Sequence, residues 1–117
     1  MTFYNSKGKP IAYLEGNDIY LFKGKPVAYI DSDKVYGFNG KHLGWFEKGW
    51  IRDLNGKCVF FTEDATGSGP IKPIKSIKPI KSVKQIKPIK SIKEISKIRH
   101  IDSLNWSNLS GEIFFNQ

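Results

Sequence analysis

The chain holds one cysteine, Cys58, and two histidines, His42 and His100. Cys58 follows His42 at a spacing of sixteen. A thiol and an imidazole are the parts of a nucleophilic pair, but such a pair also needs an orienting third group, and none accompanies these two. Four acids, Glu15, Asp31, Glu47 and Glu63, recur at that same spacing. Brought together, they would offer oxygen ligands to a hard cation. Four lysines, Lys9, Lys25, Lys41 and Lys57, keep the same step. A second lysine row is denser: Lys72, Lys75, Lys78, Lys81, Lys84, Lys87, Lys90 and Lys93 stand three apart with no acid between them. That row is the candidate site for polyanions, because evenly spaced cations can neutralise nucleic-acid phosphates or anionic lipid with strong salt dependence. It lacks the interleaved aromatics that single-strand binding uses. Turn acids and lysines are ordinarily solvent-facing, and a lone cysteine excludes a disulfide framework. Catalytic, cofactor and metal residues are therefore expected to be none.

The charge is divided unevenly. Residues 1–66 carry nine Lys and Arg against eight Asp and Glu, and residues 67–117 carry ten against three, so +1 and +7 make the total of +8. The opening MTFYNSKGKP has no apolar run, and no stretch approaches the roughly 18 apolar residues of a membrane span. A cytoplasmic location is the expectation.

The elements that must position these residues follow from the 16-residue step. Gly8, Gly24, Gly40 and Gly56 mark it, each followed by lysine. Around them run the columns Phe3/Ile19/Val35/Ile51, Tyr4/Tyr20/Tyr36/Arg52 and Tyr13/Tyr29/Trp45/Phe61. An unbroken register over four copies is an internal repeat. Each unit reads as a β-hairpin. Asn39-Gly40 and Asn55-Gly56 suggest two-residue type I′ turns, and the polar run after each acid suggests the turn into the next hairpin. A unit this short cannot bury a face alone, so the units must share a centre, and Ala12, Ala28 and Gly44 suit a crowded axis. Arg52, Phe60 and Thr62 mark the fourth unit as a terminal one.

From Pro70 to Leu104 the period is three, with an aliphatic residue at every middle position from Ile71 to Leu104. Pro73, Pro79 and Pro88 exclude an α-helix, and a strand would scatter isoleucine and lysine over both faces. Polyproline II has three residues per turn and three edges, here aliphatic, cationic and small. The expected arrangement docks the isoleucine edge on the hairpin domain and turns the lysines outward. Thirty-five residues at about 3.1 Å each span about 110 Å, so the tail must wrap, fold back or reach a neighbour. Trp106 is an expected anchor and Ile113-Phe114-Phe115 an expected closing strand.

Four tandem aromatic-x-Phe-x-Gly-Lys-Pro-Val-Ala-Tyr-Ile-Asp hairpins and a basic tail ending near Trp106-Ser107 resemble the bacterial four-fold β-flower domain. The resemblance implies an all-β fold with pseudo-four-fold symmetry and transfers no catalytic residue. Tryptophan-glycine or MORN repeats are the rival and would give an open sheet. The expected organisation is a flower over 1–66, an extended tail over 67–105 packed on or around it, and an anchor over 106–117. The expected function is a non-enzymatic structural or protein-interaction module. Its candidate partners are a second copy, engaged through the tail, or another protein. Polyanion binding by the tail lysines, nucleic acid included, is the alternative.

Overall fold

The structure is a computed structural model and describes residues 1–117. Eight strands form one closed antiparallel barrel in sequence order: β1 (Thr2–Tyr4), β2 (Pro10–Glu15), β3 (Asp18–Leu21), β4 (Pro26–Asp31), β5 (Lys34–Tyr36), β6 (His42–Glu47), β7 (Trp50–Asp53) and β8 (Cys58–Phe61). Tyr4 pairs with Phe61 to close it, so no open sheet edge remains.

The period of two along each strand sorts the repeat columns into an inside and an outside. Paired across the strands, Phe3 faces Ala12, Ile19 faces Ala28, Val35 faces Gly44 and Ile51 faces Phe60. These eight positions line the axis and are buried. Three pairs set a large side chain against a small one, which fits a narrow lumen. In the fourth, Phe60 occupies the space the small residues leave, stacked on Phe115 at 5.3 Å and 6.2 Å from Phe3.

The Gly-Lys turns differ from expectation. Each is wider than a two-residue turn: Gly8 N–H donates to Asn5 O (3.0 Å) while Asn5 N–H donates to Lys9 O (2.9 Å), and the other three hairpins repeat this. Gly8, Gly24, Gly40 and Gly56 sit at φ 78°, 96°, 87° and 81°, and each hairpin carries one register shift. This is the three-residue hairpin with a glycine bulge. Asn5 and Asp53 brace two of these turns, their Oδ1 accepting from two amides each; Leu21 and Gly37 hold the same place in the other two, so the loop width does not depend on that side chain. The tight turns lie at the acid end, at Gly16-Asn17, Ser32-Asp33 and Lys48-Gly49.

The expected closing strand at Ile113–Phe115 is instead a short helix, α1 (Glu112–Phe115). A closed barrel offers no edge for another strand. Phe114 and Phe115 drive into the core beside Phe60, while Ile113 stays 58% exposed.

Candidate interaction surface

The outward columns Tyr13/Tyr29/Trp45 and Tyr4/Tyr20/Tyr36 are buried too, although they face away from the axis. The tail covers them. It runs around the barrel as a belt, bound by its amides: Ser76 N–H donates to Gly8 O (2.8 Å), Gln85 to Gly24 O (2.8 Å), Glu94 to Gly40 O (2.9 Å) and Ser103 to Gly56 O (3.0 Å). Sixteen positions along the barrel are thus matched to nine along the belt at every hairpin. A Cβ on any of these glycines would lie 2.0–2.4 Å from the carbonyl oxygen of Ile74, Val83, Ile92 or Ile101. Each glycine is therefore required twice, for its turn and for the belt's approach. Four spans of nine residues at about 3.1 Å make about 110 Å, the circumference of a disc whose Cα extents are 36 × 35 × 22 Å.

The belt lies the other way out from the expected arrangement. Its aliphatic edge faces solvent: Ile71, Ile74, Ile77, Ile80, Val83, Ile86, Ile89, Ile92, Ile95, Ile98 and Ile101 are 90–96% exposed, and Leu104 is 64% exposed. The cationic edge faces the barrel. Lys81 lies over Tyr13 (4.3 Å), Lys90 over Tyr29 (4.2 Å) and Arg99 over Trp45 (5.6 Å); Lys75 lies over Tyr4 (5.9 Å), Lys84 over Tyr20 (5.5 Å) and Lys93 over Tyr36 (5.6 Å). Within about 6 Å of a ring face a cation is attracted by the ring quadrupole, and the lysine stem covers apolar surface as the ammonium passes beyond it. The physical reason is the wall. It presents aromatic faces with carboxylates beyond them, which suit lysine and leave an aliphatic side chain no cavity to enter.

Each of the eight candidate polyanion-binding lysines has an intramolecular partner. Beyond the ring contacts, Lys72 donates to Ala65 O (2.8 Å), Lys78 pairs with Glu63 (3.4 Å) and Lys87 with Asp18 (2.9 Å). Lys84 pairs with Glu15 and Lys93 with Asp31. Hydrogen bonding to Lys93 holds the Asp31 carboxyl below its usual range and raises Lys93 in turn. Arg99 takes Glu47 at 3.0 Å. The acid column thus receives belt cations, one hairpin after another. The column Lys9/Lys25/Lys41/Lys57 stays at the wide-turn end and pairs with none of those acids.

Arg52 is the exception among the tyrosines, and the belt changes with it. In the column Lys75/Lys84/Lys93 the fourth residue is Asp102, and it meets the buried Arg52 at 3.4 Å. Arg52 also donates to Gly56 O (2.9 Å) and Ser103 O (2.8 Å), and Arg99 reaches Asp102 at 3.1 Å. The signal was present in the sequence as a period of nine inside the period of three: Pro70, Pro79 and Pro88 keep it.

The structure gives Cys58 and His42 separate environments. Burial pushes the Cys58 thiol up to about 11, so it stays protonated at neutral pH. The backbone of Cys58 accepts from Ser107 N–H (2.8 Å) and donates to Asn105 O (3.1 Å), which brings Trp106 against Trp50 and Phe61 at 6.2 and 6.1 Å. His42 receives Lys97 N–H on Nδ1 (2.9 Å) and bonds Gly44 O through Nε2 (2.9 Å). An amide only donates and a carbonyl only accepts, so the proton sits on Nε2. Burial lowers its pKa below the usual histidine value. His100 is exposed.

A closed barrel of four hairpins, wrapped by its own tail and stoppered by a C-terminal helix, defines an all-β repeat domain whose conspicuous surface is an aliphatic rim. The chain belongs to the 4-fold beta flower protein family, whose model matches residues 1–115. No curated protein and no solved structure matches it. No helix is long and apolar enough to cross a membrane.

Proposed function

We propose that the chain is a non-enzymatic structural module that associates with further copies of itself through the isoleucine rim. One observation carries this reading: eleven aliphatic side chains, each 90–96% exposed, stand in a single stripe around the disc. Scattered exposed aliphatics need no explanation, whereas a continuous apolar stripe marks a contact surface. The lysines between its members lean onto the barrel, and Lys78, Lys84, Lys87 and Lys93 are paired with carboxylates there, which lessens the repulsion between two rims. The same engagement of Lys72–Lys93 weighs against polyanion binding by the tail.

Magnitudes set the kind of association. Two convex rims that bury about three side chains each gain about 9–18 kcal/mol, at about 1.5–3 kcal/mol per side chain. Association costs about 4–15 kcal/mol. A single contact is close to balance, and a stripe that repeats on every hairpin supports several contacts per copy. Association therefore rises steeply with concentration.

Sedimentation velocity over a wide concentration range tests this. The wild type forms species larger than a monomer, and Ile80→Lys/Ile89→Lys/Ile98→Lys remains a folded monomer, since those side chains pack on nothing. A wild type that stays monomeric up to its solubility limit, or a triple variant that associates equally, refutes the reading.

A further inference from the structure

Most of the barrel's lysines lie at one end of the disc. Six lysines sit in the four wide turns: Lys7, Lys9, Lys23, Lys25, Lys41 and Lys57. Only Lys23 has a carboxylate within reach, Glu112 at 3.8 Å, and both side chains are more than half exposed. Glu112 is the one exposed acidic side chain within these turns and α1. The nearby acids are otherwise engaged. Asp53 is buried and accepts from Asn55, Lys57 and Ser107; Glu94 of the belt accepts from His42 N–H at 2.8 Å. The acids Glu15, Asp31, Glu47 and Glu63 lie beside the opposite, tight turns. The disc is thus cationic at one end, whereas at the other Lys34 and Lys48 stand among the carboxylates of Glu15, Asp31, Asp33, Glu47, Glu63 and Asp64.

We propose that the wide-turn end is a docking surface for an anionic lipid bilayer. Three observations favour a bilayer over a nucleic acid. The lysines are spread round all four hairpins of a face about 35 Å across; a planar anionic surface meets them together, whereas a duplex meets a strip. Aliphatic groups accompany them: Ile113 projects from α1, and Ile77 of the belt shares a depression with Lys9. Lipid takes up such groups and phosphate does not. No tyrosine, tryptophan or phenylalanine on this end is exposed for base stacking. Ile77 is shared with the rim proposed for self-association, whereas the turn lysines and Ile113 lie outside it, so this surface stands without the rim.

Co-sedimentation of the full-length protein with vesicles tests the assignment, comparing phosphatidylcholine mixed with phosphatidylserine against phosphatidylcholine alone. Binding is expected to the mixed vesicles only and to fall with salt. A lysine near an anionic membrane is worth about a five-fold change in partitioning, so Lys25→Ser/Lys41→Ser binds about 25-fold more weakly. The belt pair Lys84→Gln/Lys93→Gln, with folding checked by circular dichroism, binds within about two-fold of wild type. Equal binding to both vesicle types overturns the proposal, and so does an equal loss in the belt pair. Tighter binding to a duplex oligonucleotide than to mixed vesicles at the same salt reassigns the face to nucleic acid. A rim variant that is monomeric yet still binds mixed vesicles separates this proposal from the self-association reading.

Discussion

His42 occupies the column where Pro10, Pro26 and Cys58 stand in the other hairpins, and it alone there accepts a belt amide with its side chain. That bond needs a bare Nδ1. Protonation would set an N–H against the Lys97 N–H, with Lys34 and Lys97 opposing the charge and Glu94 favouring it. The folded pKa lies below the unfolded value, so the unfolded chain binds more protons between the two. Stability is then complete above about pH 6.5 and declines as pH falls through that value towards the folded pKa, by up to about 1.4 kcal/mol per pH unit within that window. Urea denaturation at pH 7.5 and 5.5 checks this. The wild type loses stability between them and His42→Gln loses less, so equal losses would remove His42 as the cause. Cys58 shares the column of His42 and is buried like it; burial disfavours the charged form of each, which lowers the imidazole and pushes the thiol up to about 11.

The belt and barrel are matched element to element, nine positions to sixteen, which makes the belt nearly the same in four registers. A repeat of this kind needs a key, and Arg52–Asp102 has the form of one. It replaces a tyrosine–lysine contact by an ion pair at one hairpin only. Asp102→Lys leaves Arg52, itself 3% exposed, facing a like charge. Breaking a buried pair costs about 3–5 kcal/mol, and the partial exposure of Asp102 reduces that to about 2–3 kcal/mol here. Arg52→Tyr/Asp102→Lys restores the contact made by the other three hairpins and recovers most of the loss, a coupling of about 1–3 kcal/mol in a double-mutant cycle read by chemical denaturation. A double variant no more stable than Asp102→Lys alone would show that the pair does not act together. Legibility divides along the same line. The hairpins could be read because each is local: turn, strand and acid recur within a single unit of the repeat. The belt's period of three could be read for the same reason. Its facing could not, because hydrophobicity ranks isoleucine inside and lysine outside, and only the assembled wall reveals that Tyr13, Tyr29 and Trp45 point outward with Glu15, Asp31 and Glu47 beyond them. The Asn-Gly pairs misled for a smaller reason, since a glycine at positive φ serves a three-residue loop with a bulge as well as a two-residue turn, and the dipeptide does not tell them apart.

At the scale of the whole molecule, residues 1–66 form a barrel with apolar surface on both sides of a single sheet. The inner face is filled by Phe3, Ile19, Ile51 and Phe60, but its lumen is completed by Phe114 and Phe115. The outer face carries two three-membered aromatic clusters, Tyr13/Tyr20/Phe22 and Tyr29/Tyr36/Phe38, which the belt covers. A domain of some 60 residues is marginal even with its surface closed, and here neither face is closed without the tail. The tail, in turn, has no strand or helix before α1 and buries none of its isoleucines, so it has no structure to keep on its own. Each half therefore supplies what the other lacks. Truncation after Ala65 accordingly yields a chain that precipitates or melts without a cooperative transition, and a peptide of residues 67–117 added during refolding restores solubility and the transition together. A truncated chain as soluble and as thermally stable as the full one would show that the barrel needs neither cover nor stopper, and that the belt is carried solely for what its isoleucines touch.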